Sequence, residues 1–581
     1  MARPHAGERT ARAERRFRLA TRRRRLEADD VLVVERSSIR SAISGTVVGN
    51  FMEWFDFGVY GYVTVTLSQL FFQTGDEQLD ILLALLGFAV SFVVRPLGGL
   101  VLGPLGDRIG RQKVLFFTMA AMAIATALIG VLPTHAQIGF PAAILLYVLK
   151  MVQGFSTGGE YAGAATYVSE FSSDRKRGYY ASWLDIGSYL GFATGAGTVA
   201  LVHAIASAGW GESAFTDWGW RVPFLVAIPL GAVAIYFRAR IPETPAFENA
   251  EPGADAAPEE IVADGPLQAT GLRSVLRHYR KELLVAIVIV AAANSVGYAL
   301  TSYMPTFLGT QLGLDEMQSA LLTIPAMVLV AVSLPAVGRL SDAIGRRRVL
   351  LLAAIGTLVL SIPSFWLILH TTSFALTLIA MLLLGIPTAL YLAMLAPTLP
   401  AMFPTRARYS AMGFAFNVAV SLFGGTTPLI AQALIGWTGI QLMPAFWIML
   451  LSVLCLLALP ALHETAGAPL LGSYPTVEHE DEVAELVEGQ DEDPHLDLER
   501  MPLDDEIVAV PVDASGQVLE DVEPVALDDL SPRDRTQLDE YYSTREIPTL
   551  ATLTGEMPAI DPGEAPDAVA EGSEAPGATR A

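Results

Sequence analysis

The sequence predicts an all-α membrane protein, with twelve transmembrane helices arranged as two six-helix bundles. Three observations carry this. The 581 residues are 52% hydrophobic and only 17% charged, well below the roughly 25% charge of a soluble domain. Apolar runs long enough to cross a bilayer, which takes roughly 20 residues each, occur twelve times. One loop motif occurs twice, beginning at Gly103 and at Gly338, 235 positions apart.

The spans fall at about 43–70, 80–103, 114–133, 140–168, 179–206, 219–237, 282–308, 318–338, 349–369, 374–402, 409–436 and 441–462. They divide the chain into a basic arm (1–42), an N-terminal bundle (43–237), a connecting loop (238–281), a C-terminal bundle (282–462) and a tail (463–581). Prolines inside spans, such as Pro325, Pro335, Pro387 and Pro397, are tolerated where neighbouring helices satisfy the freed backbone groups.

Charge sorts the same regions. The net charge of −22 belongs to the tail, which holds 31 acids against 5 arginines. The arm holds 12 arginines against 6 acids, and the core is nearly neutral. Of the core's 21 basic residues, 18 sit in alternate connections, so the arginine-bearing loops are expected to face the cytoplasm with both termini. The arm is read as resting near anionic lipid, and no cleavable signal peptide is evident. The tail combines acids, 12 prolines and few large apolar groups, a composition that predicts a disordered cytoplasmic extension. The single cysteine, Cys455, excludes a disulfide framework and a cysteine metal site. Ser156-Thr157-Gly158-Gly159 lies inside a span, so it is no phosphate cradle. With no nucleotide, metal or nucleophile constellation, an enzyme is disfavoured and no cofactor is expected. Any transport would draw on an ion gradient.

The repeated motif reads Gly103-Pro104-Leu105-Gly106-Asp107-Arg108-Ile109-Gly110-Arg111 and Gly338-Arg339-Leu340-Ser341-Asp342-Ala343-Ile344-Gly345-Arg346. Each copy joins the second and third span of a six-span half, which implies two similar bundles with a site between them. Asp107, Arg111, Asp342 and Arg346 are candidates for gating that end of the bundles.

Charges within spans are costly and survive by pairing or by lining a wet cavity. Here they are Glu53, Asp56, Arg95, Lys150, Glu160, Asp185 and Arg221, all in the N-terminal half. Asn50, Glu53, Phe57 and Tyr60 form one helical stripe, and Lys150, Gln153, Thr157 and Glu160 repeat its spacing. Asn294, Tyr298 and Ser302 give a third stripe on the seventh span. These stripes are read as cavity walls. Glu53, Asp56 and Glu160 are candidates for proton coupling. Asn50, Phe57, Tyr60, Arg95, Lys150, Gln153, Asn294 and Tyr298 are candidates for the substrate cavity. Trp54, Phe57, Tyr60, Tyr298 and Tyr303 could offer ring faces to a quaternary ammonium. Asp185 and Arg221 are read as structural, and Gly187, Gly191 and Gly195 as a helix-packing stripe.

The repeated loop resembles the signature of the major facilitator superfamily. Gly49-Asn50-Phe51-Met52-Glu53-Trp54-Phe55-Asp56-Phe57, Arg95-Pro96-Leu97-Gly98-Gly99, Gln153-Gly154-Phe155-Ser156-Thr157-Gly158-Gly159-Glu160-Tyr161 and Trp218-Gly219-Trp220-Arg221-Val222-Pro223-Phe224 resemble its metabolite:proton symporter family. Ser302-Tyr303-Met304-Pro305, Leu399-Pro400-Ala401-Met402-Phe403-Pro404-Thr405, Arg408-Tyr409-Ser410-Ala411 and Phe416-Asn417 are most similar to the bacterial proline/betaine osmoprotectant transporters. The resemblance spans residues 40–465. It implies the major facilitator fold, a bacterial cell membrane, and proton symport of a small zwitterion such as proline, glycine betaine or ectoine. Its implied partners are that solute, the proton and the bilayer, with no nucleic acid; the oligomeric state stays open. Two rivals are an organic-acid symporter, which would favour more cations in the cavity, and a transport-inactive osmotic sensor acting through the tail. The tail departs from the pattern, because its prolines leave no sustained heptad for a coiled coil.

Overall fold

The computed structural model describes residues 16–109, 111–211, 213–238, 271–405, 407–503, 505–512 and 525–526. They form two units. The smaller joins the two ends of the chain. In it Arg16–Arg23 pairs antiparallel with Asp505–Val512, Arg16 opposite Val512, and Val525–Ala526 pairs with Val508 and Ala509. The larger unit is Leu26–Pro502.

Helices cover all twelve expected spans of the larger unit. In the N-terminal half they are Arg36–Phe71, Glu77–Ile109, Arg111–Val131, Pro141–Ser156 with Glu160–Glu170, Leu184–Trp210 and Arg221–Arg238. In the C-terminal half they are Arg280–Tyr298 with Met304–Leu312, Glu316–Ile344, Arg346–His370, Phe374–Thr398, Arg408–Ala419 with Thr427–Thr438, and Met443–Ala458. Eight segments are long and apolar enough to cross a membrane by length and composition alone. The expected loop 238–281 ends in a helix, Gly271–His278, and residues 239–270 lie outside the described residues.

Packing follows small residues. Gly187, Gly191 and Gly195 lie against the first helix so closely that a methyl group on any of them would run into the carbonyl oxygens of Val47, Phe51 and Phe55 respectively. The halves meet along two seams. Leu184–Trp210 packs on Glu316–Ile344, and Glu77–Ile109 packs on the segments either side of Gly424. The fourth span breaks at Thr157–Gly159. The freed carbonyls are taken up across the seam: Asn417 Nδ2 donates to Gly158 O at 2.7 Å and Tyr409 Oη donates to Gly159 O at 3.3 Å. This is the compensation a broken helix needs where water is absent.

Both ends of the seam are closed. At the arginine-rich end, Gly178 abuts Gly338. Asp342 accepts from the backbone N–H groups of Gly178 and Tyr179, each at 2.8 Å. Arg408 Nη1 reaches Glu170 Oε1 at 2.5 Å, and Ser169 Oγ donates to Ala396 O at 2.9 Å. At the opposite end, Thr66 Oγ1 donates to Glu316 Oε1 at 2.7 Å and Tyr62 bonds Thr323.

Residues 463–502 correct the expectation of a tail disordered from its start. They form a strap across the arginine-rich end. Glu464 accepts from the N–H groups of Arg346 (2.9 Å) and Arg347 (3.1 Å), a carboxylate capping a helix N-terminus. Ala468 O accepts from Arg177 and Leu471 O from Arg408, both at 2.9 Å. Thr476 N–H donates to Asp174 Oδ2 at 2.9 Å, and Thr476–Val477 pairs parallel with Leu32–Val33. Glu478 accepts from Lys176 Nζ at 2.7 Å and Ser173 Oγ at 3.2 Å. The strap's own Leu470, Leu471, Val477 and Met501 are buried. The strap buries only a few large apolar side chains, and buried guanidinium groups need acceptors, which its carbonyls provide. Beyond it, 505–512 and 525–526 are strand; residues 504, 513–524 and 527–581 lie outside the described residues.

Candidate functional site

Between the halves, midway along the seam, lies a narrow cavity. The first helix contributes Trp54, the fifth span Asp185, Ser188, Tyr189 and Phe192, and the fourth Tyr161. The C-terminal half contributes Asn294, Tyr298, Leu392, Leu395 and Phe416. Six of these side chains are aromatic. Tyr161 stacks on Phe416 across the seam with centroids 4.2 Å apart, and Trp54 lies 5.2 Å from Phe192 and 5.7 Å from Tyr298. Rings of this density give any occupant π faces on several sides.

A hydrogen-bonded chain runs behind the rings. Trp54 Nε1 donates to Asn50 Oδ1 at 2.8 Å, and Asn50 Nδ2 donates to Ser188 Oγ at 2.6 Å. Ser188 Oγ donates to Asp185 Oδ1 at 3.2 Å, and Tyr161 Oη donates to Asp185 Oδ2 at 3.0 Å. Asn294 donates to Val290 O at 3.1 Å, whereas the buried Tyr298 hydroxyl has no hydrogen-bond partner.

A second cluster lies within the N-terminal half. Arg95 Nη2 is hydrogen-bonded to Glu53 Oε1, both side chains being 1% exposed. The other oxygen, Glu53 Oε2, has no partner. The Arg95 guanidinium lies over Trp54 (5.5 Å), Phe57 (5.1 Å) and Phe92 (4.6 Å). Lys150 Nζ lies over Phe57 (4.9 Å) and Tyr60 (4.4 Å). Thr126 Oγ1 donates to Asp56 Oδ2 at 2.5 Å and accepts from Gln153 Nε2 at 2.6 Å. Tyr60 Oη donates to Ala84 O at 2.7 Å. Trp54 joins the clusters, since its ring lines the cavity and also carries Arg95.

Of the residues expected in the substrate cavity, Asn294 and Tyr298 line it. Asn50 stands one residue behind it. Phe57, Tyr60, Arg95, Lys150 and Gln153 belong to the second cluster with Glu53 and Asp56. Glu160 is half-buried at the start of the helix that follows the break in the fourth span. Asp342 bridges the halves at the arginine-rich end, and Arg346 Nη1 donates to Pro397 O at 2.8 Å. The side chains of Asp107 and Arg111 lie outside the described residues. Sequence reasoning missed Tyr161, Tyr189, Phe192 and Phe416 as cavity residues, and it set Asp185 aside as structural. One signal was present: Asp185, Ser188 and Phe192 share a helical stripe, which the glycine stripe beside them overshadowed.

Residues 42–472 match the sugar (and other) transporter family. The chain belongs to this family, within the major facilitator superfamily. It is 54% identical over 482 residues to the ectoine/proline transporter ProP of Corynebacterium glutamicum, covering 83% of this chain and 95% of that one. It is 42% identical over 458 residues to the proline/betaine transporter of Escherichia coli K12, covering 79% of this chain and 90% of that one. Among solved structures it resembles a D-xylose–proton symporter, with TM-score 0.58 and 16% identity over 74% of this chain and all of that one. A partially occluded, inward-open form of the xylose transporter XylE from Escherichia coli gives 0.57 at 17% identity, over 75% of this chain and 100% of that one. The fold is therefore the twelve-helix major facilitator fold, and the chain is a multi-pass membrane transporter.

Proposed function

We propose that this transporter carries a small zwitterionic osmolyte, such as proline, glycine betaine or ectoine, into a bacterial cell together with a proton. The observation that carries the reading is the cavity between the halves, where six aromatic rings, Tyr298 among them, surround one buried carboxylate, Asp185, and two uncharged polar side chains, Ser188 and Asn294. Such a lining suits a compact solute with a bulky cationic centre. The names of the two relatives point to the same solutes. An organic acid would need cations facing the cavity, and among the described residues none lines it.

Proton coupling is assigned to Glu53. Arg95 stays charged throughout, so it can be the fixed partner but not the carrier. Glu53 Oε2 is free to take a proton once the pair separates. Trp54 follows Glu53 in sequence and lines the cavity, so an occupant that moves the first helix also disturbs the Glu53–Arg95 pair. The arginine-rich end is assigned to the cytoplasm with both termini, and there Asp342 and the strap hold the halves together.

The test is uptake of radiolabelled proline, glycine betaine and ectoine into proteoliposomes, with and without an imposed pH gradient. Accumulation that a protonophore abolishes supports the reading. Protonophore-resistant uptake requiring sodium refutes the proton assignment, and uptake of dicarboxylates in place of zwitterions refutes the solute class.

A further inference from the structure

Among the described residues, three carboxylates are enclosed within the spans of the N-terminal half: Glu53, Asp56 and Asp185. Glu53 has Arg95 as its cation. Asp56 has the Thr126 hydroxyl and lies within the field of Lys150. Asp185 has only two neutral hydroxyls, Tyr161 and Ser188, and among the described residues no cation pairs with it. An enclosed charge with no counter-charge is costly. Of the three carboxylates, Asp185 is also the one that lines the cavity.

We infer that Asp185 is the anionic half of a cation subsite, which receives the ammonium centre of the zwitterion and gains from it the counter-charge the protein leaves out. This rests on the proposed function and names the group that recognises the solute. Tyr161 and Ser188 hold the carboxylate in place, one hydroxyl on each oxygen. Tyr189, Phe192, Trp54 and Phe416 present rings around the same space. A fully methylated ammonium has no N–H to donate, so it is held by charge and by ring faces. A secondary ammonium such as that of proline additionally donates to Asp185. The other end of the solute is answered by Tyr298, whose buried hydroxyl has no partner within the protein and can donate to a carboxylate. The same arrangement excludes a dicarboxylate, because it would place like charge beside Asp185.

The experiment separates this inference from the functional reading by using wild-type protein first. If wild-type proteoliposomes move no zwitterion, the proposed function fails and the subsite fails with it. If they do, solute exchange is measured with no pH gradient, so that proton coupling does not enter. Asp185→Asn keeps the shape and one of the two acceptor oxygens that take Tyr161 and Ser188, and it removes the charge. It is expected to raise the KM for exchange of glycine betaine and of proline at least about thirtyfold, and Asp185→Glu is expected to recover part of that loss. Unchanged KM in Asp185→Asn overturns the inference, including the case where only concentrative uptake is lost, since that would make Asp185 a proton site. A readout independent of the variant's folding is competition in wild-type protein. Choline, a quaternary ammonium without a carboxylate, is expected to inhibit betaine uptake, and succinate at the same concentration is not. Inhibition by succinate equal to that by choline also overturns the inference.

Discussion

The two halves share a fold and a loop motif but divide the chemistry unequally. The membrane interior of the N-terminal half holds Glu53, Asp56, Arg95, Lys150 and Asp185, all buried. The facing interior of the C-terminal half offers amides, hydroxyls and rings: Asn294, Tyr298, Ser302, Thr306, Asn417 and Phe416. Its buried charges, Arg346 and Arg408, sit at helix starts at the arginine-rich end. One half therefore carries the ionisable groups, while the other is a neutral wall against which they are sealed. A neutral wall can slide past its partner without breaking ion pairs at the centre, so charge pairing at mid-membrane stays internal to one bundle.

The comparison breaks most sharply at the Glu53–Arg95 pair. Glu53→Gln is expected to abolish concentrative uptake, by a hundredfold or more, while solute exchange without a gradient persists; accumulation assays with and without a protonophore check this. Arg95→Met leaves an enclosed carboxylate without its cation. It is expected to cost about 3–5 kcal/mol, read as lost expression or a lower Tm in detergent, and Glu53→Gln in the same chain is expected to recover much of it.

Contacts that cross between the halves come next. Asp342→Asn keeps one acceptor oxygen where two take the Gly178 and Tyr179 N–H groups, and it loses the charge; charged hydrogen bonds are roughly twice as strong as neutral ones. Accessibility of a cysteine engineered near Gly338, in a Cys455→Ser background, is expected to rise severalfold without loss of stability. Ending the chain after Pro502 is expected to leave uptake near wild type. Ending it after Leu462 removes the strap acceptors of Arg177 and Arg408, Ala468 O and Leu471 O, and is expected to raise the same accessibility while lowering uptake.

The smallest effect concerns pH. Burial alone would push Glu478 up, but hydrogen bonds from Lys176, Tyr180 and Ser173 and the Lys176 charge hold it below the ordinary carboxylate range. A carboxylate held low when folded stabilises docking above its unfolded pKa and loses that contribution as pH falls through the folded value. Strap docking, followed by hydrogen exchange of residues 463–502, is therefore expected to be flat between pH 6 and 8 and to weaken only in acid, below about pH 4. Glu478→Gln is expected to flatten the acid limb.

The fold was legible because its signals are local. Length and hydropathy mark spans, and a duplicated Gly-x-Leu-x-Asp-x-x-Gly-Arg loop marks the halves. The N-terminal stripe Asn50–Tyr60 was legible as a polar face, but not where that face points. Spacing places Phe57, Tyr60 and Lys150 on cavity-facing stripes, whereas the packing of the second and fourth spans turns them into the bundle. Asp185 reads as an isolated charge until the first, fourth and seventh spans are brought around it. The strap was illegible for another reason. Residues 463–502 bury only a few large apolar side chains, and the hydrogen-bonding needs of Arg177, Arg346 and Arg408, which help to order them, lie elsewhere in the chain.

The strap also fixes an order of assembly. Its docking partners in the first half, Asp174 to Arg177, are synthesised about three hundred residues before the segment that satisfies them. A chain still emerging from the ribosome thus passes through a stage in which all twelve helices are inserted and the arginine-rich end is unsealed. Closure by the strap at that end therefore follows synthesis of the last helix, and a chain truncated just after that helix has its buried arginines short of some acceptors.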